Sequence, residues 1–84
     1  MKFTRYFEEQ VLRKRPYLQK AWCADVLARP MRREVQEDGR IRHWAFVTAP
    51  DESTPRVLRV VTLENGETVH NAFFDRNFRP DEDA

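Results

Sequence analysis

Two histidines, His43 and His70, are the side chains in this chain whose ordinary pKa lies nearest neutrality. His70 is followed closely by Asp75 and Arg76, and Arg59 stands eleven residues before it. This set has the parts for one reaction in particular. Cleaving RNA with its own 2′-hydroxyl needs a base, an acid and a cation for the charge that builds on phosphorus. A histidine serves as acid or base. An arginine fork holds the phosphate and stabilises the transition state. The second acid or base would be His43, Tyr6 or Asp75. The bland alternative is that His70 and Asn71 hydrogen-bond locally and dock the C-terminal turn, with Asp75 and Arg76 as a structural ion pair. For His43, a surface cross-strand pair with Glu34 competes with a role as an oriented base.

A second group is basic. Arg13, Lys14 and Arg15, then Arg29, Arg32 and Arg33, then Arg40 and Arg42 could gather on one edge, with Tyr17 and Trp44 between them. Arginines interleaved with aromatic rings suit single-stranded RNA, through phosphate contacts and base stacking. The same groups would suit an acidic protein partner, or simply a solvated surface. Residues 1–42 carry eleven basic and six acidic groups, and residues 43–84 carry four and eight, so a net charge of +1 hides a strong asymmetry. Twelve of the fifteen basic residues are Arg, the type favoured where phosphate or carboxylate is recognised.

Other chemistries lack their residues. Cys23 is the one cysteine, which excludes an internal disulfide and argues for a reducing, cytoplasmic setting. His43, His70 and Cys23 follow no metal-ligand spacing, so no metal or other cofactor is expected. The two glycines both sit in turn signals, so no glycine-rich phosphate loop exists. Ser53 falls in a loop, and Cys23 on a helix reads as part-buried and inert. No apolar run reaches the roughly 20 residues of a membrane span, and the first ten residues do not resemble a signal peptide. Eighty-four residues with 40% apolar content fit one small folded domain over 1–80, followed by a frayed acidic tail over 81–84.

The elements that must position these groups are legible in outline. Phe3, Tyr6, Phe7 and Val11 predict a helix over 4–15 with Thr4 as its cap, ended by Pro16. Leu18, Ala21, Trp22, Val26 and Leu27 predict a second over 17–28, closed by Pro30. From Met31 the period changes to that of strands. Asp38-Gly39 and Asn65-Gly66 read as two-residue hairpin turns with both turn positions at positive φ. Strand-like runs occupy 33–37, 40–48, 56–63 and 67–75, and Phe78 is expected to fold back as a plug. The expected architecture is α+β, with two N-terminal helices on one face of a four-stranded antiparallel meander. With two-residue turns, Val61 faces His70, Arg59 faces Ala72, Glu34 faces His43 and Arg33 faces Trp44. Arg59 and His70 then become diagonal neighbours on the open face, roughly 7–8 Å apart.

Several runs carry a resemblance: Asp38-Gly39-Arg40-Ile41-Arg42 with Trp44, Leu58-Arg59-Val60-Val61, and Glu67-Thr68-Val69-His70-Asn71-Ala72-Phe73-Phe74-Asp75-Arg76. The Arg13-Lys14-Arg15-Pro16 joint and the helix end at Pro30 agree with them. The chain resembles a group of small bacterial proteins related to the BrnT-type toxins of the RelE/ParE-like superfamily. The resemblance implies two helices against a four-stranded antiparallel sheet. It also implies the toxin half of a toxin–antitoxin module, with a cognate antitoxin as partner. Some members of that superfamily cleave RNA without a metal, and others act on a protein target. The expectation is therefore a toxin, as a metal-free ribonuclease built on His70, Arg59, Asp75, Arg76 and His43. RNA or a partner would be held by Arg13, Lys14, Arg15, Arg33, Arg40, Arg42 and Trp44. The alternative is a non-catalytic module that binds a protein through the open sheet face.

Overall fold

A computed structural model describes residues 1–79. The first helix covers 5–14, with a π-helical stretch, Phe7–Val11, leading into the α-helical turn α1 (Leu12–Lys14). The Thr4 hydroxyl accepts the Phe7 N–H at 3.0 Å and caps the start, as its side chain suits it to do. Pro16 follows the end. The second helix, α2 (Lys20–Ala28), starts later than its periodicity suggests because Gln19 is extended. Leu18 instead turns back on Arg15 and is buried. Ala21, expected on the inner stripe, is exposed, and Cys23 takes the inner place and is fully buried. Burial pushes the Cys23 thiol up to about 11, so it is inert at neutral pH.

Five strands follow the order β1-β5-β4-β3-β2, with β1 (Lys2–Phe3), β2 (Arg32–Val35), β3 (Ile41–Val47), β4 (Arg56–Thr62) and β5 (Thr68–Phe74). The sheet is mixed, which corrects the expected four antiparallel strands. β2 to β5 form the antiparallel meander, and β1 adds a short parallel strand beside β5. No helix among the described residues is long and apolar enough to cross a membrane.

One face of the sheet lies under the helices. Phe7, Val11, Cys23 and Val26 pack there on Ala45, Leu58, Val60, Val69 and Ala72. His43 is also on this side and is 3% exposed. The other face has no element of the described chain laid over it except the turn after β5, where Phe78 stacks on Trp44 at 5.3 Å as the expected plug. The acidic tail over 81–84 lies outside the described residues.

The register of the first hairpin differs from the two-residue expectation. Arg33 pairs with His43, Arg32 with Trp44 and Glu34 with Arg42. The turn between β2 and β3 is longer because Asp38 does not enter positive φ. Its carboxylate accepts the Arg40 N–H at 3.0 Å, and Gly39 alone is left-handed, at φ 90°. Asn65 behaves likewise: its side-chain oxygen accepts the N–H groups of Glu67 and Thr68, and Gly66 takes φ 72°. Between β4 and β5, Thr62 pairs with Val69 as expected, but a bulge follows. Val61 then pairs with Asn71, Val60 with Ala72 and Arg59 with Phe73. His70 is the extra residue of that bulge. A slip of one residue exchanges faces, so Arg59 shares its face with Phe73 rather than with Ala72.

Candidate functional site

The open face carries a cross-strand row in register: Phe73 on β5, Arg59 on β4, Trp44 on β3 and Arg32 on β2. Rings and guanidinium groups alternate along it. Arg59 lies 5.0 Å from the Phe73 ring and 5.6 Å from Trp44, and Arg32 lies 5.6 Å from Trp44. Arg15 extends the row beyond the edge, 5.7 Å from Phe73, and Phe78 closes the other end, 5.9 Å from Arg32. Such cation–π contacts contribute about 0.5–2 kcal/mol each, according to their exposure. They also solve a packing problem. A sheet face without a helix over it must cover its backbone with its own side chains, and arginine stems and rings do this while keeping charge at the surface.

Two carboxylates border the row. Asp75 accepts the Trp44 indole N–H at 2.9 Å and lies 3.8 Å from Arg59. Glu34 pairs with Arg32 and lies 3.9 Å from Arg42. Arg42 belongs to the next row, facing Val61 and Glu34. The Nε groups of Arg42 and Arg59 are buried and have no hydrogen-bond partner among the described residues. Burial lowers the pKa of Arg59, and the neighbouring Arg42 lowers it further, while Asp75 and Glu34 pull it back up. Among the described residues that line the site, guanidinium groups thus outnumber carboxylates. A shallow hollow of about 350 Å³ lies over it, with Asn77 and Arg79 at its rim.

The histidines are elsewhere. The bulge turns His70 toward the N-terminal edge, where Thr4 Oγ1 bonds its Nδ1 at 3.1 Å and Tyr6 stacks on its ring at 4.8 Å. Partial burial and Arg40 both lower the pKa of His70. Its contacts are with Thr4 and Tyr6, while those of Arg59 are with Trp44, Phe73 and Asp75, so the expected His70–Arg59 diagonal pair is corrected. His43 is corrected too. It faces the helices, opposite Val60 rather than solvent, and its Nε2 bonds Thr62 Oγ1 at 3.1 Å. Its Nδ1 is buried without a partner among the described residues, and burial lowers its pKa. Glu34, the expected orienting carboxylate, serves Arg32 and Arg42 instead.

The remaining candidates are dispersed. Arg76 is exposed beyond β5 and does not pair with Asp75 in any contact described. Arg13 and Lys14 are exposed at the end of the first helix, Arg29 beyond α2, Arg33 on β2 and Arg40 at the hairpin tip near Asp38. They do not converge on the edge that the basic pattern suggested. Of the expected binding residues, the structure brings Arg15, Arg42 and Trp44 to the open face. Trp44 is buried in the row rather than available for stacking. Sequence reasoning missed Phe73 and Glu34 as an acceptor for Arg42, and it placed Arg32 on a basic edge rather than in this row. Correct register would have found them, since each stands directly across from or beside Arg59, Trp44 or Arg42. Comparison with protein-family models, curated proteins and solved structures returned no match for this chain.

Proposed function

We propose that the chain is an RNA-binding protein of the toxin–antitoxin kind, which holds a single strand against the open face of its sheet. The observation that carries this reading is the in-register row Phe73–Arg59–Trp44–Arg32 with Arg42 beside it. Arg59 and Arg32 lie over these rings, and guanidinium N–H groups are donors suited to phosphate oxygens. Phe46, 53% exposed on the same face, offers a ring for a base. The resemblance to BrnT-type toxins supplies the biological setting: a cytoplasmic protein whose partner would be an acidic antitoxin covering the same face.

The geometry favours holding RNA over cutting it. The ionisable groups beside Arg59 are Arg42, Asp75 and Glu34, and Asp75 is engaged with Trp44. The two histidines that would move protons have other partners. The test is a fluorescence-anisotropy titration of a single-stranded RNA over a range of salt. Binding should weaken steeply with salt, because each phosphate neutralised releases counterions. Arg59→Ala should weaken it by about tenfold or more, the loss of a charge-assisted contact. RNA that is not bound at low salt, or is bound equally by a folded Arg59→Ala variant, would reject the reading.

A further inference from the structure

β2 ends the sheet. Among the described residues its only strand partner is β3. The helices pack on β3, β4 and β5, and no β2 residue belongs to the core beneath them. Arg33 and Val35, which β2 turns toward the helix side, are therefore exposed, Val35 at 64%. The ladder also shows where the backbone points. In an antiparallel pair, alternate residues exchange both hydrogen bonds with the partner strand, and the residues between them aim theirs the other way. The Gln36 N–H donates to the Arg40 carbonyl at 2.7 Å, and Glu34 opposite Arg42 continues that alternation. Arg33 and Val35 thus present their N–H and C=O groups to the open edge. Edge strands commonly carry charge that discourages further pairing. Here the charges on alternate residues differ in sign about an apolar centre: Arg33, Val35 and then Glu37, the first residue of the turn. Arg33 and Glu37 are both exposed, and neither has an ion pair among the described residues. Read in the opposite direction, the pattern is its own complement.

We propose that the β2 edge binds a second copy of this chain, added antiparallel about a twofold axis at Val35. Val35 then faces its counterpart, Arg33 faces Glu37 of the second copy, and Glu37 faces Arg33. The same patch serves both copies, as a twofold contact requires. Opposite charges directly across two strands are favourable and like charges are not, which selects this register. Centred on Glu34, the pairing would oppose two carboxylates. Centred on Arg33, it would oppose two guanidinium groups. Residues directly across an antiparallel pair share a face, so the two copies form one continuous sheet with both helix layers on one side and both open faces on the other. The proposal does not rest on RNA binding.

The experiment is sedimentation velocity on the full chain, without RNA, from about 10 µM to about 1 mM. A monomer–dimer equilibrium should appear within that range. Val35→Lys sets like charges together at the axis and should weaken the dimer by about tenfold or more. Arg33→Glu and Glu37→Arg should each weaken it comparably, because each opposes like charges at both ends of the contact. Mixed together, these two variants should pair with each other, since opposite charges then meet at both ends. All three positions are exposed, so the melting temperatures should stay near that of the parent. Should a charge reversal fail to fold, Glu37→Gln removes the charge alone and should still weaken the dimer. A monomer at every concentration would overturn the proposal. So would a dimer that Val35→Lys leaves intact, which would place the contact elsewhere. Folded Arg33→Glu and Glu37→Arg variants that stay apart when mixed would overturn the register.

Discussion

The two faces of one sheet are built from alternate residues of the same strands and could hardly differ more. Under the helices lie Ala45, Leu58, Val60, Val69 and Ala72, small or aliphatic side chains sealed by Phe7, Val11 and Val26. Above, Phe73, Arg59, Trp44 and Arg32 cross four strands in one row. Hydrophobic burial holds the first face, at about 25 cal/mol per Å² of apolar surface removed from water. The second is held by stacked cations and rings whose contributions are individually modest. The comparison teaches where function can lie. The covered face keeps one histidine in its packing, its Nδ1 without a partner among the described residues, while the open face holds two buried guanidinium Nε groups in the same condition.

The contrast can be broken most severely from the covered side. Leu58 is fully buried at the centre of the sheet, so Leu58→Ala should destabilise by about 2–5 kcal/mol. That is a large share of a small domain's margin, and a thermal melt reads it directly. Affinity for RNA, measured below the new midpoint, should stay close to that of the parent. Next in size is the turn that sets the register of the open row. A Cβ at Gly66 would meet only ordinary contacts, at 3.7 Å or more, but φ there is 72°. Gly66→Val should therefore cost about 1–3 kcal/mol from backbone strain alone. An unchanged melting temperature would show that the residue tolerates the conformation.

A smaller effect sharpens the histidine comparison. Burial lowers the folded-state pKa of His43, and partial burial lowers that of His70. In the unfolded chain both titrate near the ordinary value of about 6.5. Above that pH both states hold the imidazoles neutral and stability is fully present. As pH falls through it, the unfolded chain binds protons that the folded chain does not, and stability is lost until the folded-state pKa is passed. Melting temperature should fall between about pH 7.5 and 5.5. His43→Gln should flatten that dependence more than His70→Gln, because His43 is the more deeply buried.

Much of this fold was legible in the residues. The order of two helices and four meander strands follows from the change of hydrophobic period at Met31 and from Asp38-Gly39 and Asn65-Gly66. β1 was not legible, because two residues in a parallel pairing leave no periodicity to read. The registers failed for a definite reason. At the first hairpin Asp38 uses its side-chain oxygen to accept the Arg40 N–H and the turn lengthens, whereas past the second turn Thr62 still meets Val69 as expected and a bulge shifts the pairing. The bulge at His70 then rotates the chemistry. Arg59, Asp75, Arg42 and Trp44 were visible as candidates by type, but Arg32 and Phe73 join them only through the true register. His43 and His70 drew attention because histidine titrates near neutrality, and neither sequence neighbours nor composition reveals a core position or a bulge.

The most direct test of the central claim is chemical-shift mapping by NMR as a short single-stranded RNA is added. The account predicts that the Trp44 indole N–H, the Arg59 side-chain N–H and the amides of Phe73 and Asp75 move first and furthest, while Tyr6 and His70 stay within the scatter of the remaining amides. Perturbations centred on His70, Tyr6 and Thr4, with the Trp44 indole unmoved, would contradict it and return the chemistry to the N-terminal edge of the sheet.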